Sequence, residues 1–414
     1  MFSRVKGFRD IFGDEIPYWQ KVEMSFHKVF KRYDYAEFKL PVLEKVEVFQ
    51  RGIGDTTDIV EKEMFVFDDK GGDRLALRPE GTASIVRGYI ENKLYTGNTI
   101  SKYYYYGPMF RRERPQKGRF RQFYQVGIEA FGSSAPSLDA EVIKTMQDIF
   151  DECGILDIVS LNINSIGCPK CRPLYKEKLI SYLTDKKDQL CNDCLNRLNR
   201  NPLRVLDCKI DTCKSATRNA PKMVDHLCDE CSTHFEKTKQ FLTFFNIKFN
   251  IDPFMVRGLD YYVKTAFEFV TDRLGASSAV GGGGRYDGLI KTLGGPDIPG
   301  IGYAIGVDRL VTLMMEKGTP LERPKKVFVV FFEETLKEGF EIIELLRKND
   351  IPTSFDYEFG NFKNQFKKAD RSSADWVIII GTTEKEQGIV QLKDMKTGDQ
   401  FEVKKEEIIK KLTS

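Results

Sequence analysis

Apolar residues recur at three- and four-residue intervals from Pro17 to Tyr33, where Trp19, Val22, Phe26, Val29 and Phe30 mark one side of a regular repeat. That period predicts a helix half-buried against a core. The pattern then changes. Residues 38–49 alternate Val, Leu and Glu around Pro41, which predicts a strand whose proline belongs at a sheet edge or a subunit boundary. Residues 103–113 and 119–131 are two more predicted strands, rich in aromatic side chains, and the segment Arg114-Pro115-Gln116-Lys117-Gly118 between them has the composition of a hairpin loop. Residues 256–270 are strand-like again, 300–306 form a short glycine-punctuated strand, and 307–316 a helix. Residues 317–326 have linker composition. Beyond them an apolar run at 327–332, a helical pattern at 333–348 and a second run at 375–381 predict a small α/β unit.

The most informative stretch is 119–131. A two-residue period sets Arg119, Arg121, Phe123, Gln125 and Glu129 on one face and Phe120, Tyr124, Val126, Ile128 and Ala130 on the other. A charged strand face is commonly just solvated. Here the preceding strand delivers Arg111 and Glu113 just before a basic loop, and three arginines interleaved with an aromatic and two acids fit a phosphorylated, planar ligand better. The run Gly281-Gly282-Gly283-Gly284 is either a flexible turn or a backbone that a ligand approaches closely; it matches neither the Walker nor the dinucleotide spacing. Arg309, in the first turn of its helix, opposes the helix dipole at a cost of a few tenths to about 1 kcal/mol, and serving a ligand is one reason for it to stand there. Residues 361–371 present a cationic helix face in which Phe and Lys alternate; such a face is usually solvated, but it can also hold RNA phosphates.

A length of 414 residues implies two or three units rather than one core. No run of about 18 apolar residues occurs, and the first ten residues lack the apolar stretch of a secretory signal, so a cytoplasmic protein with no membrane partner is expected. A net charge of +3 neither demands nor excludes a nucleic-acid partner. Of nine cysteines, eight fall between Cys168 and Cys231. Cys168/Cys171, Cys191/Cys194 and Cys228/Cys231 are CxxC pairs and Cys208/Cys213 is a looser fourth. Two-residue spacing lets one turn present both sulfurs to one metal, so one or two structural zinc ions are expected, with free buried thiols or a redox-sensitive cluster as the alternatives.

Taken together these segments resemble the histidyl-tRNA synthetases, a subgroup of the class II aminoacyl-tRNA synthetases, over essentially the whole chain. Phe38-Lys39-Leu40-Pro41-Val42-Leu43-Glu44 is similar to the first class II motif, and Gly107-Pro108-Met109-Phe110-Arg111-Arg112-Glu113 onward through Glu129 to the second. Gly302-Tyr303-Ala304-Ile305-Gly306-Val307-Asp308-Arg309-Leu310 is similar to the third, with aspartate where many relatives have glutamate. Val256-Arg257-Gly258-Leu259-Asp260-Tyr261-Tyr262 and Gly283-Gly284-Arg285-Tyr286-Asp287-Gly288-Leu289 resemble the two histidine-specific signatures.

The resemblance implies an α+β fold: a class II catalytic core (an antiparallel sheet flanked by helices) over 1–322, a cysteine-rich insertion near 166–245, and a C-terminal α/β anticodon-binding domain over 326–414. It implies activation of L-histidine with ATP, transfer to the 3′ end of tRNA(His) in protein biosynthesis, Mg²⁺ on the outer phosphates, and a homodimer with the Pro41 segment at its interface. In that reading Arg111 and Arg257 are the catalytic residues, bridging the α-phosphate and the attacking carboxylate. Phe123 stacks on adenine, Arg309 clamps ATP from the other side and Arg119 meets its outer phosphates. Glu80, Thr82 and Gln125 hold the α-amino group, with Gly81 beside them among the histidine contacts. Glu129 and Tyr262 hydrogen-bond the imidazole, and Tyr261 shapes the pocket. Gln116 and Lys117 are the candidates for the acceptor stem, and the insertion is expected to close over that end of the tRNA. A pocket that hydrogen-bonds both ends of a side chain discriminates by about 10⁴-fold or more, so no editing domain is expected. Zinc is not part of what the resemblance implies; it rests on the cysteine spacing alone.

Overall fold

The computed structural model describes residues 2–54, 57–97, 100–115, 118–256, 259, 261–275, 279–321 and 324–413. Two compact units divide the chain, Met1–Pro320 and Leu321–Ser414.

In the first unit α1 (Ile16–Arg32) carries Pro17 in its opening turn, where a missing N–H costs nothing, and buries the predicted stripe from Trp19 to Phe30. After β1 (Ala36–Glu37) and β2 (Leu43–Lys45) comes α2 (Val46–Ile53). Residues 38–49 are therefore not the continuous strand their alternation predicts. Val46, Phe49 and Ile53 are buried at helical spacing, and packing of that stripe overrides the local two-residue pattern. β3 (Phe65–Asp68) and β4 (Arg74–Leu77) join β2 in a small antiparallel sheet of order β2-β4-β3, and α3 (Thr82–Glu91) follows.

The main sheet is assembled from β5 (Ser101–Phe110), β6 (Gln122–Phe131), β7 (Ser160–Ser165), β8 (Asn250–Ile251), β9 (Val263–Val270), β10 (Ala279–Arg285) and β11 (Gly300–Gly306), together with β1. Its order is β1-β5-β6-β11-β10-β9-β7-β8. Only the outermost pairs, β1 with β5 and β7 with β8, are parallel. The flanking helices are α4 (Pro136–Glu152), α9 (Leu289–Thr292) and α10 (Val307–Lys317), numbered after the insertion helices α5 (Arg172–Thr184), α6 (Asn192–Arg200), α7 (Asp211–Thr217) and α8 (Asp229–Phe244), which lie between β7 and β8. This is the α+β architecture that the sequence predicts.

The β5–β6 hairpin is shorter than the two predicted strands because its open end leaves the sheet: the Arg112 amide donates to Glu63 O (2.7 Å) and the Arg121 amide to Gly7 O (2.8 Å). The glycine run is no turn. It forms β10, paired on both sides, and glycine is needed there because the neighbours leave no room. A Cβ on Gly283 would lie 2.0 Å from Gly302 O, and one on Gly284 would lie 2.6 Å from Thr265 O.

The second unit is built from β12 (Val327–Phe331), α11 (Leu336–Lys348), β13 (Thr353–Phe355), α12 (Phe362–Arg371), β14 (Trp376–Ile380), α13 (Thr382–Gln387), β15 (Ile389–Asp394), β16 (Gln400–Lys404) and α14 (Ile408–Thr413). Its sheet has the order β13-β12-β14-β15-β16, parallel across the first three strands and antiparallel across the last two. β12 and β14 are buried throughout, as strands covered on both faces must be. α12 starts at Asn361, whose side chain accepts the Asn364 amide (3.0 Å). It buries Gln365 against Phe331 O and Gly360 O (both 2.7 Å) and leaves Lys363, Lys367 and Phe362 exposed.

Candidate active site

α3 begins beside a buried acid. The Glu80 carboxylate accepts the amides of Thr82 and Ala83, both at 2.8 Å, and so satisfies two donors that a helix start leaves unpaired. Burial raises its pKa, and those two bonds oppose the rise. Thr82 then donates its hydroxyl hydrogen bond to Glu129 Oε1 at 2.7 Å, while Tyr286 donates to Glu129 Oε2. Glu129 is fully buried, and its partners among the described residues are these two hydroxyls with no cation. Burial accordingly pushes its pKa up to about 8, against the pull of both donors. The sheet register makes this packing feasible: Glu129 stands opposite Gly302, where a Cβ would come within 1.8 Å of Glu129 Oε2.

Above this buried carboxyl lies a cavity of about 400 Å³. Glu80, Thr82, Tyr105, Gln125, Leu259, Tyr261 and Tyr262 form one group of side chains on its wall. The Tyr261 and Tyr262 rings lie 4.6 Å apart, and Tyr286 packs edge-on to Tyr261 at 5.6 Å. Gln125 Oε1 is buried with no partner among the described residues, so an acceptor is held ready toward the cavity. Burial holds the Tyr261 phenol well above its ordinary value, with Tyr262, Glu80 and Glu129 adding to the effect.

A second group comprises Arg111, Glu113, Arg119, Phe123, Glu268 and Arg309. Arg111 donates through Nε to Pro79 O (2.9 Å), and its guanidinium lies 5.2 Å from the Phe123 ring centroid. Arg119 pairs with Glu113 at 2.9 Å. Arg309 donates to Ala279 O; burial lowers its pKa to about 10, and Arg119 and Arg111 push the same way. Three guanidinium groups gathered in one cavity repel one another and are relieved by an anion. The floor between them is backbone from Ala279 to Gly282, with Ala304 and Gly306 from β11.

The structure thus brings Arg111, Arg119, Phe123, Arg309, Glu80, Thr82, Gln125, Tyr261 and Tyr262 to one cavity. Glu129 lies beneath its wall, behind Thr82. Gly81 packs against the Tyr105 ring, which a Cβ there would meet at 2.2 Å, and is not one of the residues on the wall. Arg257, Gln116 and Lys117 lie outside the described residues.

Other participants were not foreseen. Tyr286 reaches Glu129, whereas its neighbour Arg285 does not face the cavity: it is fully buried, paired with Asp139 and Asp287 and bonded to Ser133 O (2.9 Å). Asp308 accepts the Tyr124 amide (2.8 Å) and pairs with Arg9 (2.9 Å), which stacks on Phe120 at 4.5 Å. A residue of the third motif is thereby a brace between the amino-terminal segment and β6. The insertion also reaches the cavity. Its Arg204 is on the wall, and Arg197 and Arg204 each approach Asp58 at 3.4 Å while Arg200 pairs with Glu61 at 2.7 Å. Only their clustering as arginines, spaced three and four apart at 197, 200 and 204, signals this in the sequence.

A family model described as Histidyl-tRNA synthetase matches residues 7–310, and one described as Anticodon binding domain matches 326–414. The chain is 49% identical over 401 residues to a curated histidine–tRNA ligase of Halothermothrix orenii, covering 96% of each chain. It is 48% identical over 403 residues to that of Geobacter sulfurreducens, covering 97% of each. Among solved structures it is similar to the apo histidyl-tRNA synthetase of S. aureus, with a TM-score of 0.81, 33% identity and full coverage of both chains.

Proposed function

The chain belongs to the histidyl-tRNA synthetase family, and from that premise we propose which part of its cavity does what. It charges tRNA with histidine in two steps. A carboxylate oxygen of histidine attacks the α-phosphorus of ATP and pyrophosphate leaves. A terminal ribose hydroxyl of the tRNA then attacks the carbonyl of the mixed anhydride and AMP leaves.

Histidine takes the Glu80–Thr82–Tyr261–Tyr262 side. Its ammonium group meets Glu80, Thr82 and Gln125, whose Oε1, without a partner among the described residues, supplies an acceptor. Its imidazole is read by Glu129 and Tyr262, with Tyr286 and Thr82 fixing the carboxyl. The observation that carries this orientation is the buried Glu129 carboxyl, held among the described residues by two hydroxyls and by no cation. Such an acid is a partner for a polar ring and a poor one for an apolar isostere.

ATP takes the other side, with adenine on Phe123, Arg309 across from it and Arg119 toward the outer phosphates. Two anions must meet in the first step, and the guanidinium of Arg111, joined by Arg257, lowers their repulsion and stabilises the charge of the in-line transition state. Magnesium supplies further neutralisation of the outer phosphates when bound. Glu113 and Glu268, on the same wall, are the hard oxygen ligands it would use. The cysteines take no part in this chemistry.

For tRNA(His), Gln116 and Lys117 address the acceptor stem and the unit from 321 reads the anticodon, supported by its family match and by the exposed Lys363 and Lys367 of α12. The homodimer uses the segment after Pro41, supported by exposed Val42, Leu43, Val66 and Phe67 on the small sheet. No helix of the described residues is long and apolar enough to cross a membrane, and the enzyme works in the cytoplasm. Histidine-dependent exchange of pyrophosphate into ATP tests the reading: exchange with histidine is expected, and its absence in folded protein would refute it.

A further inference from the structure

Eight cysteines outside the catalytic cavity form two groups in space. Cys168, Cys171, Cys228 and Cys231 make one, Cys191, Cys194, Cys208 and Cys213 the other, and within each group all sulfurs lie within 4.8 Å of one another. Four pairs along a chain can be combined into two sets in three ways, and the fold selects one of them: the first CxxC joins the last, and the two middle pairs join each other.

The spacing within each set is diagnostic. Cys168 Sγ lies 3.7 Å from Cys171 Sγ and 3.8 Å from Cys228 Sγ, and Cys171 Sγ lies 3.9 Å from Cys231 Sγ. In the other set Cys191 Sγ and Cys208 Sγ are 4.0 Å apart. Four thiolates at about 2.3 Å from a central zinc, at the corners of a tetrahedron, stand about 3.8 Å from one another. A disulfide would need about 2.05 Å. Thiols packed merely as small apolar groups have no reason to converge in fours. Amide donors accompany both sets: Cys168 N approaches Cys171 Sγ at 3.2 Å and Cys191 N approaches Cys213 Sγ at 3.1 Å. Such donors favour the charged sulfur over the neutral one.

We propose that the insertion binds two structural zinc ions, one held by Cys168, Cys171, Cys228 and Cys231 and the other by Cys191, Cys194, Cys208 and Cys213. The two ions do the work of a core that is too small. From Cys168 to Cys231 the chain folds into helices around Tyr175, Leu179, Leu183, Leu198 and Val205, and a segment of fewer than about 70 residues rarely stabilises itself by apolar burial alone.

The first ion sits at the root of the insertion, where it clamps both ends of the segment. Beside it the Ile166 amide donates to Lys264 O and the Lys264 amide to Gly167 O, both at 2.8 Å. Arg172, next to Cys171, donates to Ile166 O (2.9 Å) and to Tyr262 O, and Lys264 pairs with Glu230 at 2.9 Å. The second ion closes the distal half, from Cys191 to Cys213. This assignment is independent of the synthetase reading and stands or falls without it.

The test uses the full-length chain, purified under reducing conditions without chelator. Metal analysis is expected to return two zinc ions per chain, and cobalt substitution is expected to give the visible bands of tetrahedral thiolate cobalt. Less than about half an equivalent of zinc would overturn the proposal; so would iron in its place, or eight thiols that react in the folded protein as fast as free cysteine. A single equivalent would overturn the second site. Cys228→Ser/Cys231→Ser and Cys208→Ser/Cys213→Ser are each expected to lose one ion and keep the other, and a double variant that keeps both overturns its assigned ligand set. Because either variant can unfold the insertion, the wild-type stoichiometry and thiol reactivity decide the question.

Discussion

Replacing Glu129 by glutamine tests the histidine end of the cavity and the electrostatics beneath it together. The wild-type carboxyl accepts two hydroxyls, from Thr82 and Tyr286. Glutamine offers one acceptor oxygen and one amide that can only donate. One hydroxyl must then turn away or lose its partner inside the protein, a loss of about 1–3 kcal/mol. Histidine kcat/KM in pyrophosphate exchange should fall roughly 10- to 100-fold, while the KM for ATP holds, because neither Phe123 nor Arg309 touches Glu129. Stability should also differ in its dependence on pH. Burial raises the folded pKa to about 8 from an ordinary 4.5, so between those values the folded chain keeps a proton that the unfolded chain has released. The wild type gains fully from this below the unfolded value and loses the gain as pH rises through the folded one, at about 1.4 kcal/mol per pH unit at most. Glu129→Gln has no such proton to lose. Denaturant unfolding of both proteins from about pH 5 to 9, read as their difference so that other titrating groups cancel, should show the wild type losing ground steadily until about pH 8. Parallel curves would refute the buried carboxyl that holds its proton, and equal changes in the two KM values would refute its assignment to histidine.

Asp139→Ala should cost about 3–5 kcal/mol of stability in denaturant unfolding, because Arg285 is fully buried and would be left without its main counter-charge. Gly302→Ala places a methyl 1.8 Å from Glu129 Oε2 and 2.3 Å from Ile128 O; histidine-dependent exchange should fall by at least about 100-fold, and a wild-type rate would show that the β6–β11 pairing is looser than described. Arg309→Lys keeps a charge but loses the planar fork, so the KM for ATP should rise about tenfold or more with histidine affinity, measured by calorimetry, unchanged. Arg257→Ala should leave ATP binding largely intact and slow adenylate formation by orders of magnitude in single-turnover assays; wild-type rates would remove its catalytic role.

What could be read in the sequence was whatever is written in local period or in residue type. The stripe of α1, the hairpin around Arg114–Gly118 and the Gly300–Gly306 strand with its helix all declare themselves within a dozen residues. The failure at residues 38–49 has a physical cause: three buried residues at helical spacing outweighed an alternation of equal length. For Gly281–Gly284 the sequence left open a turn or a backbone that a ligand approaches closely; the run is a paired strand and not a turn, Gly281 and Gly282 line the cavity, and only the neighbouring strands reveal the crowding that requires glycine. In the cavity, charged and aromatic residues of the motifs were legible, while their supports were not. Tyr286, Asp308 with Arg9, and Arg204 act across separations of roughly 150 residues or more in the chain, and no local pattern encodes that. The cysteine spacing raised a metal as one reading beside free thiols or a redox cluster, but how the eight divide into two sets needed the fold.

The cavity floor from Ala279 to Gly282, with Ala304 and Gly306 beside it, is almost bare main chain. A surface of this kind changes asymmetrically under mutation. Truncation can remove little there beyond the small side chains of Ala279, Val280 and Ala304, and every substitution at its glycines adds atoms. The arginines facing it can be weakened by degrees, so that half of the cavity can drift through intermediate affinities, whereas the floor stays as it is or is filled. Variation in what this cavity holds is therefore expected mainly in the side-chain half, and the backbone half serves as the fixed reference against which that half is adjusted.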